Sequence, residues 1–380
     1  MLDARTRTRG RLRRFGCALL LAFGLGTAPL FAQGAKPDTE AVRARFAEFQ
    51  TRVGEKAVAL ASEPGFKQLS PRERSAGIEF LVGNMLFVVA HEMGHAVISE
   101  LKLPVLGREE DAADTFAIIA ALTGVANDFS YRVLEAATKG WFWTARRDKR
   151  QGAKPAHYDR HGLDEQRAYQ IVCLMVGSDP VRFKALADET KLPEERRRTC
   201  GWDFETAAQS WGTLLAPHRR APGQPKVAIE VSYGEAKGEL EVLAQWFRSI
   251  QFLEIFADLF AERYAWPAPI TLEMRSCGEP GARWTTPGRT IHICYEMAQE
   301  FAELYREFGR EQTVKRAQKR PSPSVARTRA PRTAVTQVRS APTSPAERAH
   351  SHGRHTSAVP ASALRLARPD ASFFPPSRTE

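Results

Sequence analysis

HEMGHAVI, residues 91–98, is the stretch that decides how this chain is read. It sets His91 and His95 four positions apart, with Glu92 between them, directly after the apolar run LVGNMLFVVA of residues 81–90. The run predicts a helix, and on a helix positions i and i+4 share a face. Two neutral imidazoles so placed can reach one zinc ion, for which Zn–N distances are about 2.0–2.1 Å. Glu92 stands beside them, where a carboxylate can take a proton from a water that zinc has acidified.

A catalytic zinc site takes three protein ligands and leaves one position open, so a third ligand is needed. GREEDAADTFAII, residues 107–119, supplies a candidate. Glu110 and Asp114 are again at i and i+4, on one face of a second predicted helix, and Ala112, Ala113 and Ala117 keep that helix slim enough to pack against the first. Glu110 can ligate the metal, and Asp114 can accept the free N–H of a ligating histidine. The competing reading is a solvated acidic first turn, favoured by the helix dipole.

HEMGH followed by EDAADTFA resembles the HExxH…ExxxD arrangement of gluzincin metallopeptidases, which include CAAX-processing membrane proteases. The chain is more closely similar to a family of bacterial exported proteins that bears the name putative metallopeptidases. The resemblance rests on HEMGHAVI, LPVLGREEDAAD (residues 103–114), DRHGLDEQR (159–167), CLMVGSDP (173–180), CGEP (277–280) and CYE (294–296), and covers roughly residues 75–310. It implies a zinc peptidase fold in which His91, His95 and Glu110 are ligands, Glu92 is the base and Asp114 supports a ligand. It names no substrate.

The ends of the chain read differently from its body. Residues 1–32 carry six arginines against one aspartate, then the apolar stretch CALLLAFGLGTAPLFA, the pattern of a secretory signal peptide. Cys17 opens that stretch and is expected to leave with it. No further segment is read as long and apolar enough to span a membrane. From Glu311 to Glu380 the chain is rich in Arg, Pro, Ser and Thr and reads as a disordered tail, with 13 Lys and Arg against 4 acids. The net charge of +11 is therefore a property of the two ends, and residues 33–310 carry −3. That balance gives no reason to expect nucleic acid as a partner of the body. The tail is read as at most a weak contact with anionic surfaces, and its His350, His352 and His355 as adventitious metal binders.

Four cysteines remain in the body, an even number that suggests disulfides in an exported, periplasmic or secreted protein. Three pairings are possible. Cys173–Cys200 and Cys277–Cys294 are favoured because each encloses a short, self-contained segment. No CxxC spacing supports a four-cysteine zinc site.

The fold class expected is α+β, mainly helical: a zincin-like domain over 33–310 with an active-site helix pair. Its small sheet comes from the C-terminal half, with 227–310 a possible sub-lobe. Helices are predicted over 38–62, 76–101, 108–125, 127–147, 163–177, 179–188, 203–215 and, as one long element, 238–264. VAIEVSY (227–233), ITLEMRS (270–276) and RTIHICY (289–295) read as strands, the last two joined by a Gly/Pro-rich turn. Gluzincins place their sheet before the HExxH helix, so this order departs from theirs. His161 is the candidate for stabilising an oxyanion, with His157, Tyr158 and Arg167 as alternatives and a salt-bridge cluster at a helix start as the competing reading. His292 reads as a strand residue. Ser99 and Ser210 lack the partners of a serine hydrolase. The function expected is hydrolysis of a peptide or protein substrate with one Zn2+ per chain. The alternative is a catalytically inactive, zinc-stabilised periplasmic binding module.

Overall fold

A computed structural model describes residues 39–309 apart from Pro64. The predicted signal peptide with Cys17 and the predicted tail with its three histidines lie outside the described residues. The helices are α1 (Thr39–Lys56), α2 (Pro71–Glu100), α3 (Glu109–Ile119), α4 (Asp128–Arg150), α5 (Asp164–Ser178), α6 (Lys184–Glu189), α7 (Glu194–Arg197) and α8 (Cys200–Leu215). Then come β1 (Ile229–Tyr233), α9 (Leu240–Ser249), α10 (Glu254–Arg263), β2 (Ile270–Arg275), β3 (Ala282–Thr285), β4 (Thr290–Cys294) and α11 (Tyr295–Leu304). The domain is α+β and mainly helical, with one four-stranded sheet in its C-terminal half.

α2 is the axis of the fold. Ser70 caps it: its Oγ accepts from the Glu73 N–H at 3.3 Å, Glu73 Oε2 accepts from the Ser70 N–H at 2.9 Å, and Pro71 fills the first turn. The helix is apolar around most of its girth because it is covered by α3, α4, α11, β3 and β4. Asn84, buried in it, donates from Nδ2 to Phe80 O at 2.8 Å and to Ala136 O of α4 at 3.1 Å. By length and composition α2 is long and apolar enough to cross a membrane, which corrects the expectation that no segment after residue 32 is. Within the fold, 83% of its most apolar window is buried.

The sheet has the order β1-β2-β4-β3, with β1, β2 and β4 parallel and β3 antiparallel to β4. Ile270, Leu272, Met274, Ile291 and Ile293 turn to the core on alternate positions. His292 turns to the other face and meets Glu273, its register partner, at 2.6 Å. Two expectations are corrected here. The Gly/Pro-rich link contains β3, which makes β2 and β4 parallel neighbours and not a hairpin. The long helix over 238–264 is two helices, broken where Gln251 takes a left-handed φ of 54°. The break turns Phe252 and Leu253 fully into the core, and the Leu253 N–H donates to the Tyr233 hydroxyl at 2.9 Å.

Cys173 and Cys200 lie at disulfide distance, 2.01 Å between sulfurs, and tie α5 to α8. Cys277 and Cys294, at 2.05 Å, tie the end of β4 to the segment after β2. Two such pairs fit an oxidising compartment.

Glu63, just before α2, is fully buried. Its Oε2 accepts from the Gly65 N–H at 2.7 Å, while Oε1 has no partner among the described residues. Burial pushes its carboxyl up from the ordinary 4.5 to about 7, against the pull of that N–H. The folded state therefore keeps a proton that the unfolded chain releases, and this group makes stability fall as pH rises from 4.5 to about 7. Glu63→Gln keeps an acceptor for Gly65 and cannot ionise. Thermal unfolding should show the variant gaining on the wild type across that window and most stabilised above it. A difference that stays constant with pH would mean Glu63 is ionised throughout.

Candidate metal centre

The site is built where α2 and α3 touch. Gly94 makes the approach possible: a Cβ there would lie 3.0 Å from Ala113 Cα and 3.2 Å from Ala113 O. This contact sets Glu110, at the start of α3, against the face of α2 that carries His91 and His95. Glu110 Oε2 lies 3.3 Å from His91 Nε2 and 3.2 Å from His95 Nε2, and the two Nε2 atoms are 3.2 Å apart. The loop between α4 and α5 adds His161, whose Nε2 is 3.0 Å from the same oxygen. The other oxygen, Oε1, pairs with Arg160 at 3.0 Å.

These donors fit a metal ion. Imidazole nitrogens and a carboxylate oxygen suit zinc, and in a tetrahedral zinc site with bonds of about 2.0–2.1 Å the donors stand about 3.3–3.4 Å apart. His91, Glu110 and His161 offer donor atoms all within 4.8 Å of one another.

Each ring is held from behind. His91 Nδ1 lies 2.8 Å from Asp114 Oδ1, one turn along α3 from Glu110. Asp114 is gripped by Arg167 of α5, Nε to Oδ2 at 2.7 Å and Nη2 to Oδ1 at 2.6 Å, and the guanidinium lies 3.8 Å over the Trp141 ring. His95 Nδ1 meets Glu109 Oε1 at 2.7 Å, and His161 Nδ1 meets Asp159 Oδ1 at 3.0 Å. Arg167 thus serves Asp114, and His157 and Tyr158 are exposed on the loop. The duties of Glu109, Asp159 and Arg160 were not read from the sequence. Nothing in the sequence around residue 160 shows that the loop folds back over α3.

The charges follow from this packing. Burial pushes the Asp114 carboxyl up, but the His91 ring and the Arg167 guanidinium outweigh it and hold it at about 2. Burial likewise opposes ionisation of Glu110, and the three imidazoles together hold it far below the carboxylate range. Burial works against charge on His95, yet Glu109 and Glu110 push its ring up to about 10, and His91 is also raised. The cluster thus favours positive charge where the rings meet. Protons and a divalent cation compete for it, so metal affinity falls as pH drops.

Glu92 is buried beside the imidazoles, and its Oε2 accepts from the Trp284 N–H of β3 at 2.8 Å. Burial pushes its carboxyl up, against the pull of His91, His95 and that N–H.

The helix pair gathers imidazoles and a carboxylate on one point, with a second carboxylate alongside, and forms a donor group that could hold a metal ion. The chain belongs to the family described as "Putative metallopeptidase", whose model matches residues 60–215 and 234–328. The match includes both helices, the loop and the sheet from β2 onward. No curated protein and no solved structure matches the chain.

Two substitutions test the build of the site. Gly94→Val wedges α2 from α3, with an overpacking cost of about 1–3 kcal/mol. Zinc titration of the folded variant should show affinity lost as well, and wild-type affinity would mean that the close approach does not set the donors. Asp114→Ala should weaken zinc by about 10–100-fold, as loss of a partner behind a ligand does. An unchanged zinc dissociation constant would separate Asp114 from the metal.

Proposed function

We propose that this protein is a zinc-dependent peptidase of the gluzincin type, exported to an oxidising compartment, with one zinc ion held by His91, His95 and Glu110. The observation that carries the reading is the set of 3.2–3.3 Å separations among His91 Nε2, His95 Nε2 and Glu110 Oε2, with the Glu92 carboxylate buried alongside. Zinc, when bound, supplies Lewis acidity toward water and the scissile carbonyl. Glu92 takes the proton of the attacking water and hands it to the leaving amine, and a pKa raised by burial suits both transfers. Asp114 and Glu109 fix the proton of His91 and His95 at Nδ1 and leave Nε2 free to bind.

The substrate is a peptide or protein. β3 is an edge strand beside α2, and an extended peptide can add to such an edge through its backbone. Neither nucleic acid nor a transmembrane anchor enters this reading, and the basic tail contributes no more than weak contact with anionic surfaces.

One observation favours a second reading, a zinc-stabilised binding module without activity. His161 offers a fourth donor, and four protein donors are the mark of a structural zinc site. Glu92→Gln separates the two. Glutamine can still accept from the Trp284 N–H but cannot take a proton. Cleavage of a peptide library by the zinc-loaded wild type should be lost in Glu92→Gln while zinc binding persists. If the loaded wild type cleaves nothing, the binding module stands.

A further inference from the structure

The three imidazoles are wired alike. Each presents Nδ1 to a carboxylate, Asp114, Glu109 or Asp159, at 2.7–3.0 Å, and each turns Nε2 toward Glu110 Oε2 at 3.0–3.3 Å. A carboxylate at Nδ1 keeps the ring proton there and leaves the Nε2 lone pair for a cation. A neutral ring with its proton so placed has no N–H at Nε2 to offer a developing oxyanion. His161 therefore has the geometry of a ligand more than that of an oxyanion donor.

His161 differs from the others in how it is carried. His91 and His95 stand on α2, and their side chains are 8% and 13% exposed, against 40% for His161. The His161 ring stands on the link of residues 151–163 between α4 and α5. That link is fastened at this point by two exposed arginines: Arg108 Nη1 donates to His161 O at 3.2 Å, and Arg160 reaches Glu110 Oε1 at 3.0 Å. Four protein donors close a tetrahedral site, and hydrolysis needs a position open. The donor held by the most exposed contacts is the one that can leave at least cost.

We infer that His161 is a fourth protein ligand of the resting metal centre, and that it comes off when a carbonyl or a chelating group takes its place. The loop thus acts as a strap that keeps the site closed until substrate arrives. The inference rests on the zinc reading given above and deepens it.

X-ray absorption of the zinc-loaded full chain counts imidazoles directly. Three are expected at rest and two after saturation with acetohydroxamate. In the cobalt-substituted wild type, the visible absorption of the four-coordinate ion should weaken when acetohydroxamate binds through both oxygens. The zinc dissociation constant of His161→Ala should rise by more than that of Asp159→Asn, for which about 10–100-fold is expected as loss of an outer partner. Two imidazoles at rest overturn the inference and leave the zinc and Glu92 reading standing. Three imidazoles that persist with acetohydroxamate overturn the release and favour a structural site. A wild-type chain that binds no metal overturns both readings. The absorption measurement needs no variant, so it decides the matter even if His161→Ala does not fold.

Discussion

Glu110 Oε2 has three imidazole nitrogens within 3.0–3.3 Å, and every one of those rings leans on another carboxylate. Lone pairs and negative charge crowded into a mostly buried space repel unless something positive sits among them. Protons can do this, which is why the His91 and His95 rings are pushed up and Glu110 is held down. A divalent cation does it with better geometry, because His91 Nε2, His95 Nε2 and Glu110 Oε2, at 3.2–3.3 Å from one another, match three corners of a tetrahedron of zinc-length bonds. The remaining elements of the domain serve to hold these groups in a place they would otherwise avoid.

Holding them requires rigid support, and α2 supplies it. A helix buried on most sides keeps its side chains in fixed rotamers, and two ligand candidates one turn apart inherit that order. α3 closes on it through Gly94 and Ala113, so that a carboxylate on a short side chain reaches the rings. α5 then braces α3 from behind through the Arg167–Asp114 pair, and Cys173–Cys200 fixes α5 to α8. The burial of Arg167 is tolerable because Asp114 takes two of its N–H groups and Trp141 covers its face. The order of support therefore runs outward from the ligands, each layer less exposed to choice than a surface contact would be.

The sheet enters the site by one hydrogen bond, from the Trp284 N–H to Glu92. It also ties β4 to the far end of α2 through the Arg289–Glu100 ion pair. A sheet placed after the HExxH helix in sequence thus ends beside it in space.

The sequence by itself determined what local rules control. The i, i+4 spacing and the apolar run fix the helix and the shared face of His91 and His95. The alanines of α3 show that it can pack closely, and the alternation in β1, β2 and β4 shows which side faces the core. Pairing each cysteine with its near neighbour in sequence gives the pairs that lie at disulfide distance. Only tertiary structure decided the rest, because it depends on residues far apart meeting in space. β3 is four residues long and carries little periodicity, so it was hidden in a turn, and with it the parallel order of β2 and β4. The left-handed Gln251 that splits α9 from α10 has no local signal, since burial of Phe252 and Leu253 is what rewards the break. The fold-back of residues 151–163 sets His161, Asp159 and Arg160 around Glu110, and it depends on a crossing of α3 and α5 that no spacing along the chain encodes.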